Sequence, residues 1–287
     1  MKLNKLLDVA HDDKLFLLNI KISTELLKEL ADVEYVVMQG SSKRSYELSK
    51  LLAKRYLGIN PELFMPRDLS QNGLYSVYKI GKVLSISHGM GNFSVINILH
   101  EITRLLYFAG VNKPKYIRIG TCGGLGVAAG SVILTDRAYT PLLENNYEIE
   151  SLGEIIKLPS YFDNQLTQDI KNAQKDLSFT LIEGNTIAAD DFYMGQFRFD
   201  GAIRHDKTEE DKQAYFATIK QLNIVNFEME CSALSAFCLK AEIPAAMLAT
   251  VLVNRQQGDQ ITLSPEKLTA ISNHGFEVLL NYLDKYY

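Results

Sequence analysis

Residues 116–130 read YIRIGTCGGLGVAAG, and this stretch joins a buried strand to a candidate binding site. The run 116–119 is apolar and rich in β-branched residues, which predicts a core strand. Arg118 interrupts the run, and a buried guanidinium is costly unless it meets an anion. A glycine-rich turn is predicted at 120–124, where backbone N–H groups and the Thr121 hydroxyl could approach a ligand. We therefore predict an oxyanion site here, most simply for phosphate.

Two other interpretations apply to the same residues. Their glycines could pass for a dinucleotide-binding fingerprint, but Gly130 leads into another strand-like run and not into a helix, which argues against a Rossmann unit. The alternative left open is structural, namely a tight strand connection in which Arg118 pairs with a carboxylate of the chain itself. The choice depends on what other motifs the chain contains.

The composition excludes several classes of protein. The chain has 287 residues, a formal net charge of −4 and a pI near 5.8, so it lacks the basic surface of a protein that binds nucleic acid or anionic membranes. Glycine and proline are dispersed, and no linker, low-complexity tract or repeat interrupts the sequence. We predict one domain over residues 1–287.

Neither the N-terminal segment nor the cysteines indicate export. Residues 1–20 contain no unbroken apolar region and no small-residue cleavage site, so no signal peptide is expected. No stretch approaches the roughly eighteen apolar residues of a membrane span. Cys122, Cys231 and Cys238 are odd in number and lack metal-ligand spacing, which argues against disulfides and a structural metal. We expect a cytoplasmic protein.

Predicted strands alternate with predicted helices along most of the chain, which indicates an α/β protein with a three-layer α/β/α sandwich and a mixed central sheet. The predicted strands are 33–38, 75–80, 83–87, 116–119, 131–135, 177–182, 184–188, 224–227 and 245–253. The predicted helices are 46–56, 94–109, 158–172, 209–222, 232–241 and a terminal helix from Pro265 through Leu283. Glycine turns repeatedly follow strands, which is typical where ligands bind at strand ends.

A second candidate anion site follows the first clear strand. Gly40 to Arg44 read GSSKR and separate that strand from a helix. The first N–H groups of a helix and its dipole favour negative charge. Arg44 in the first helical turn is disfavoured by the same dipole unless a ligand anion compensates, so it favours a site; a solvated turn is the alternative.

Aromatic and polar side chains are interleaved in the loop at 189–198. Phe192 could stack on a flat ring, while Gln196 and Arg198 supply the mixed hydrogen-bonding groups that a pyrimidine edge requires. A surface loop whose aromatics cover a core edge is the other interpretation.

Two carboxylates follow the strand at 224–227. Glu228 and Glu230 flank Met229 at a strand-to-helix junction, where the helix dipole stabilises negative charge. Each carboxylate can accept two hydroxyl donors, which suits a sugar diol. The alternative is that they only cap the helix.

These motifs together resemble the uridine phosphorylases of animal type, within the nucleoside phosphorylase family and its α/β/α fold. The similar segments are GSSKR, RIGTCGG, DFYMGQFRFDGA and NFEMECSAL, together with SISHGMG, DKQAY and LVNRQQGDQI. They are spread over nearly the whole chain.

The resemblance implies a role for each motif residue. Phosphate would be bound by Gly40, Arg44, Arg118 and Thr121. The nucleoside would be contacted by Cys122, Gly123, Phe192, Gln196, Arg198, Glu228, Met229 and Glu230. Gln196 and Arg198 would read uracil, Glu230 would accept from the ribose hydroxyls, and Phe192 would pack on the base. The catalytic residues would be Arg118 and Arg44, which orient the nucleophile, and Gln196 and Arg198, which stabilise the departing ring.

The implied reaction is the reversible phosphorolysis of uridine to uracil and ribose 1-phosphate. It would need no metal and no organic cofactor, because inorganic phosphate is a co-substrate. A purine-specific relative would carry an aspartate near residues 252–254, and this chain has none there. The implied assembly is a homodimer.

The chain departs from the family pattern at two positions. Leu74 stands where the family places an arginine, and Leu17 aligns with a histidine; both family residues reach a neighbouring subunit. Arg67 or His11 could substitute for them. These departures motivate a second hypothesis, a catalytically weakened paralogue that binds nucleoside without efficient turnover. A nucleoside hydrolase is a third, against which the two arginines argue.

Overall fold

The computed structural model describes residues 1–9, 14–70 and 73–287. The chain forms two compact units: unit 1 comprises Met1–Arg118 and Phe237–Ala245, and unit 2 comprises Ile119–Ala236 and Ala246–Tyr287. The prediction of a single domain over residues 1–287 stays a prediction.

Strands and helices alternate along the chain. The strands are β1 (Lys14–Leu15), β2 (Ile20–Lys21), β3 (Tyr35–Gln39), β4 (Val77–Ile80), β5 (Val83–Ser87), β6 (Lys115–Gly124), β7 (Val132–Tyr139), β8 (Asn146–Ser151), β9 (Glu154–Pro159), β10 (Leu181–Ala188), β11 (Ile224–Glu228) and β12 (Ala245–Asn254). The α-helices are α1 (Thr24–Leu30), α2 (Ser42–Leu57), α3 (Asn92–Phe108), α4 (Asn164–Asn172), α5 (Glu209–Gln221), α6 (Cys231–Lys240), α7 (Pro265–Ser272) and α8 (His274–Tyr286). Short 3₁₀ helices lie at Lys5–Val9 and Met194–Gln196.

The sheet of unit 1 has the strand order β6-β3-β5-β4. β3 and β5 are parallel, and β4 and β5 form an antiparallel hairpin, which turns at Gly81 with a φ of 52°. All five residues of β3 and all five of β5 are buried, as expected for strands covered on both faces.

The strands of unit 2 form a closed group with the order β11-β10-β7-β12-β6. β10 is parallel to both β7 and β11, whereas β12 is antiparallel to β7. The group closes because β11 also pairs with β6, with Phe227 opposite Gly123. The predicted fold class, α/β with a mixed sheet, is confirmed.

The prediction of a glycine turn at 120–124 is wrong, because β6 continues through all of these residues to Gly124. Close packing explains these glycines better than chain reversal does. A Cβ on Gly123 would lie 2.5 Å from Cδ of Arg255, and a Cβ on Gly124 would lie 2.7 Å from Cγ1 of Val251. Glycine in a strand interior often marks such a close approach.

The prediction of a helix over 158–172 is right only from Asn164 onward. A hairpin that the sequence analysis missed, β8 with β9, occupies the preceding residues. Its two-residue turn is Leu152-Gly153, with φ of 51° and 83°, which matches the strand twist of a type I′ turn. Leucine is uncommon in this conformation, so the turn was not recognised.

Two further boundaries differ from the prediction. One strand, β10, which begins only at Leu181, replaces the two strands expected at 177–182 and 184–188. Gly184 within it leaves room for Val225, because a Cβ would lie 2.5 Å from the Cγ2 of that valine. The single terminal helix is two helices, α7 and α8, which meet at Asn273.

Candidate active site

The carboxyl ends of β3 and β5 lie side by side in unit 1. The strands are in register with Gln39 opposite Ser87, and the N–H of His88 donates to the Gln39 carbonyl over 2.8 Å. A glycine turn follows each strand, and a Cβ on Gly40 would lie 3.5 Å from the Gly89 carbonyl oxygen. Two of the glycine turns noted in the sequence are therefore neighbours.

β6 supplies Arg118 to unit 1. The residue is 3% exposed, and its Nε donates to Nε2 of His88 over 3.0 Å. An Nε2 that accepts a hydrogen bond carries no proton, so this contact requires the neutral imidazole. A neutral partner does not balance the guanidinium charge, and the contact therefore orients Arg118 without neutralising it.

Arg44 lies in the first turn of α2, as predicted. Burial lowers its pKa; nearby Glu47 opposes this effect, and the positive charge of Arg118 adds to it. The two arginines are thus close enough to repel, and their repulsion would be relieved by a bound anion. Unit 1 brings together Gly40, Arg44 and Arg118, three of the four residues predicted for phosphate.

The remaining β6 residues of the prediction belong to unit 2. Thr121 is half-buried, while Cys122 is buried with its Sγ–H directed at the Ala249 carbonyl 3.8 Å away. Gly123 lies opposite Phe227 of β11 and beneath the side chain of Arg255. The strand thus supplies Arg118 first and the predicted nucleoside contacts four and five residues later.

The loop after β10 contains the predicted base-reading residues. Gln196 and Arg198 are 3% and 8% exposed, and the guanidinium carbon of Arg198 lies 4.3 Å from the centroid of the Phe192 ring. Phe197 between them has a φ of 56°, the left-handed conformation that ends the short 3₁₀ helix. Phe192 itself is 41% exposed, so the ring covers Arg198 on one side and faces solvent on another.

Three cationic side chains converge on Asp259 in unit 2, and we call these four residues the Asp259 cluster. Nζ of Lys212 lies 2.8 Å from Oδ2 of Asp259, and Nε of Arg255 lies 2.7 Å from Oδ1. Nη1 of Arg198 donates to the Asp259 backbone carbonyl over 3.0 Å. Nη2 of Arg255 also donates to the backbone carbonyl of Gln196, so the cluster is bonded directly to the loop at 189–198, which we call the base-reading loop after its predicted role.

The charges of the cluster shift one another's pKa values. Burial alone would raise the pKa of the Asp259 carboxyl, but hydrogen bonds from Arg255 and Lys212 outweigh burial and hold it below its usual 3.8. Burial lowers the pKa of Arg255; Asp259 opposes this shift, and the positive charge of Arg198 adds to it. The guanidinium charges of Arg198 and Arg255 therefore repel each other; the carboxylate of Asp259 binds Arg255, and its backbone carbonyl binds Arg198.

Glu228 has the capping role that the sequence analysis raised as an alternative. Its carboxylate accepts from the backbone N–H groups of Glu230, at 2.9 Å, and Cys231, at 3.0 and 3.2 Å, at the start of α6. Glu230 is also buried, and Met229 is half-buried. Because Ala189 donates to the Glu228 carbonyl, these residues lie at the beginning of the base-reading loop. Their predicted contacts with ribose stay predictions.

Both departures from the family pattern lie in unit 1. Leu74 is 69% exposed, and the backbone N–H of Leu17 donates to Oε1 of Glu101 over 2.7 Å. Arg67, one suggested substitute, forms an ion pair with Glu29. His11, the other, lies outside the described residues.

The sequence analysis assigned no function to His88, Lys212, Arg255 or Asp259. A signal existed for His88 and Arg255, since each directly follows a strand, as Gly40 does. Lys212 lies in a helix with many charges, and nothing local distinguishes it from its exposed neighbours.

In the part of the chain that the structure describes, no group of three or more histidine, cysteine, aspartate or glutamate side chains could hold a metal ion. Within residues 1–9, 14–70 and 73–287, no helix is both long and apolar enough to cross a bilayer.

Comparisons with known proteins agree on one family. The model of the phosphorylase superfamily matches residues 34–282. Uridine phosphorylase 1 of Mus musculus is 34% identical over 277 residues, which cover 96% of this chain and 88% of that protein. A relative from Schistosoma mansoni named inactive uridine phosphorylase B is 29% identical and covers 92% of this chain and 88% of its own length.

The fold is also shared with solved structures. The crystal structure of Schistosoma mansoni uridine phosphorylase in complex with thymidine superposes with a TM-score of 0.90 at 31% identity, covering 99% of this chain and 97% of that one. This similarity confirms the predicted nucleoside phosphorylase fold.

Proposed function

The chain belongs to the phosphorylase superfamily, and from this membership we propose that it catalyses the reversible phosphorolysis of uridine to uracil and ribose 1-phosphate. The observation that carries the proposal is the like-charged pair Arg44 and Arg118. Two neighbouring guanidiniums attract an anion, and phosphate accepts hydrogen bonds from a guanidinium in bidentate geometry.

The first step is the positioning of phosphate. Arg118, oriented by neutral His88, and Arg44 bind the phosphate oxygens, with Gly40 and Thr121 adding backbone and hydroxyl donors. Holding the nucleophile in line with the sugar removes much of the entropic barrier of a two-substrate reaction.

In the bond-breaking step, a phosphate oxygen bonds to the anomeric carbon as the bond from that carbon to the base nitrogen breaks. The electron pair passes to the uracil ring, which leaves with negative charge and then takes the proton that hydrogen phosphate brought. Gln196 and Arg198 stabilise this charge as it develops, and stabilisation confined to the transition state raises kcat.

The sugar is held by the residues at the start of α6. Glu230 accepts from the ribose hydroxyls and Met229 packs against the ring, while Cys122 and Gly123 line the nucleoside site and Phe192 packs on the base. Glu228 fixes the backbone of Glu230 through its capping hydrogen bonds. The burial of Glu230 next to this capped junction supports its role.

The proposal extends to partners and location. Uridine, uracil, phosphate and ribose 1-phosphate are the small-molecule partners, no metal or organic cofactor takes part, and the enzyme acts as a homodimer in the cytoplasm. The exposed Leu74 supports a subunit contact that differs from the charged one of the family.

One assay tests the proposal: uracil release from uridine measured with and without phosphate in the same buffer. We expect release that depends on phosphate, with formation of ribose 1-phosphate. Release in phosphate-free buffer would instead identify a nucleoside hydrolase. Uridine binding by calorimetry without turnover would identify a weakened paralogue, the case that Leu17, Leu74 and the inactive Schistosoma relative raise.

A further inference from the structure

Asp259 connects helix α5 to the loop at 189–198. Its carboxylate bonds Lys212 and Arg255, its carbonyl bonds Arg198, and Arg255 bonds the Gln196 carbonyl. A displacement of Asp259 would therefore be transmitted to both base-reading residues.

Lys212 is buried to an extent that is uncommon for a lysine. Its side chain is 7% exposed, and its ammonium lies 5.3 Å from the Phe199 ring centroid and 5.8 Å from that of Phe216. Lysine is almost never fully buried unless paired, and here the pairing is with Asp259. The burial of Lys212 therefore indicates a specific role in this cluster.

The charges of the Asp259 cluster indicate what the role of Lys212 is. Without Lys212, Arg255 would be the remaining cation of the cluster bonded to the Asp259 carboxylate, and the full negative charge would offset the positive charge of that guanidinium. The ammonium balances the carboxylate, so that the charge of the two guanidiniums remains available to a ligand. A buried Nη1 of Arg255 and a buried Nε of Arg198 have no hydrogen-bond partner among the described residues, so both guanidiniums retain donors.

A cavity of about 590 Å³ borders the cluster and is lined in part by Lys212, Arg255 and Asp259. Water in this cavity would compete for the Asp259 carboxylate. The ammonium therefore has to hold the carboxylate in place as well as balance it.

We infer that Lys212 is a positioning residue for base recognition: through Asp259 it holds Arg255 and Arg198 in place and keeps their positive charge available to the departing pyrimidine. The inference rests on the proposed phosphorolysis of uridine. It assigns to helix α5 an indirect part in catalysis.

The test compares Lys212→Met with the wild-type chain on uridine and 5-fluorouridine. Loss of correct positioning should lower kcat for uridine by about 10- to 100-fold, with the KM for phosphate changed less than about twofold. The loss should be smaller with 5-fluorouridine, because fluorine makes the pyrimidine a better leaving group that needs less stabilisation. A merely structural defect would lower both rates equally.

Three further variants serve as controls. Lys220→Met removes an exposed lysine from the same helix and should behave as the wild type, whereas Lys212→Arg retains the charge and should keep most of the activity. In Lys212→Met/Asp259→Asn the unbalanced carboxylate is gone, so the double variant should be more active than Lys212→Met alone. If Lys212→Met fails to fold, the arginine and double variants carry the test.

Unchanged kcat in folded Lys212→Met, equal losses on both substrates, or a double variant no better than Lys212→Met would overturn the inference. A wild-type chain that releases no uracil would instead overturn the proposed function, and the inference with it. Measuring the wild type first separates the two failures.

Discussion

The two arginine pairs of the molecule are held in opposite ways. In unit 1, Arg118 is oriented by neutral His88, and Arg44 has a second arginine as a close neighbour. In unit 2, Arg198 and Arg255 both bond Asp259, and Lys212 balances that carboxylate. The first pair suits a ligand that is always anionic. The second suits a neutral base that becomes charged only as it leaves, which requires fixed geometry before the charge develops.

The largest expected effect comes from removing the first pair. Arg118→Met should reduce kcat/KM for phosphate about 1,000-fold, because it removes a charge that both binds and orients the nucleophile. Initial rates over a range of phosphate concentrations measure this. A loss below tenfold would show that Arg118 has a structural role only, and the comparison would then fail.

Removing the corresponding charge in unit 2 should affect a different parameter. Arg198→Met should lower kcat for uridine about 100-fold while the KM for phosphate stays near that of the wild type, because the lost stabilisation concerns the leaving base. Steady-state kinetics with both substrates varied separate the two constants. A rise in the phosphate KM equal to that of Arg118→Met would contradict the division of roles.

Two glycine substitutions sharpen the comparison at the level of packing. In Gly123→Ala the new Cβ would meet Cδ of Arg255, which is tethered at both ends and cannot move away. We expect about 1–3 kcal/mol of destabilisation and about a tenfold loss of kcat.

Gly40→Ala is the matched variant in unit 1. Its Cβ would make an ordinary contact of 3.5 Å with the Gly89 carbonyl oxygen, so the free energy of unfolding should be unchanged. If the KM for phosphate rises while the free energy of unfolding is unchanged, glycine is needed at position 40 for the approach of the ligand. Chemical denaturation and steady-state kinetics check both variants, and equal destabilisation of the two would refute the steric argument.

The smallest expected effect is on the stability of the fold at acidic pH. The pKa of Asp259 is lowered in the folded chain, so its carboxylate stabilises the fold above its usual value of 3.8, and this stabilisation is lost as the pH falls through the lowered value. As the pH is lowered through this range, the free energy of unfolding of Asp259→Asn should therefore fall less than that of the wild type. Urea denaturation at a series of acidic pH values measures the difference, and parallel curves would contradict it.

Local signals were enough to predict much of the fold and to identify several candidate site residues. The strand, glycine turn and helix around Gly40 and Arg44 were predicted because periodicity and composition change within a few residues. Arg118 was recognised because a charge in an apolar run contradicts its surroundings.

The remaining features depend on contacts between residues that are distant in the sequence. The pairing of Lys212 with Asp259 joins residues 47 positions apart. The glycines at 123 and 124 were misread as a turn because the side chains that require them are distant in the sequence. Val251 lies on β12, and Arg255 directly follows that strand. The capping role of Glu228 was only one of two readings, since both roles use a carboxylate at the same junction.

The closed strand group of unit 2 has a consequence for the solubility of partly unfolded chains. Because β11 pairs with β6 as well as β10, each of its five strands is hydrogen-bonded on two sides, which removes the edges through which sheets of different molecules associate. In unit 1, β4 ends the sheet and is short, with a single bridge from Asp68 to Tyr78 beyond it. Of the two strand orders given above, it is therefore the sheet of unit 1 that retains an open edge, at β4.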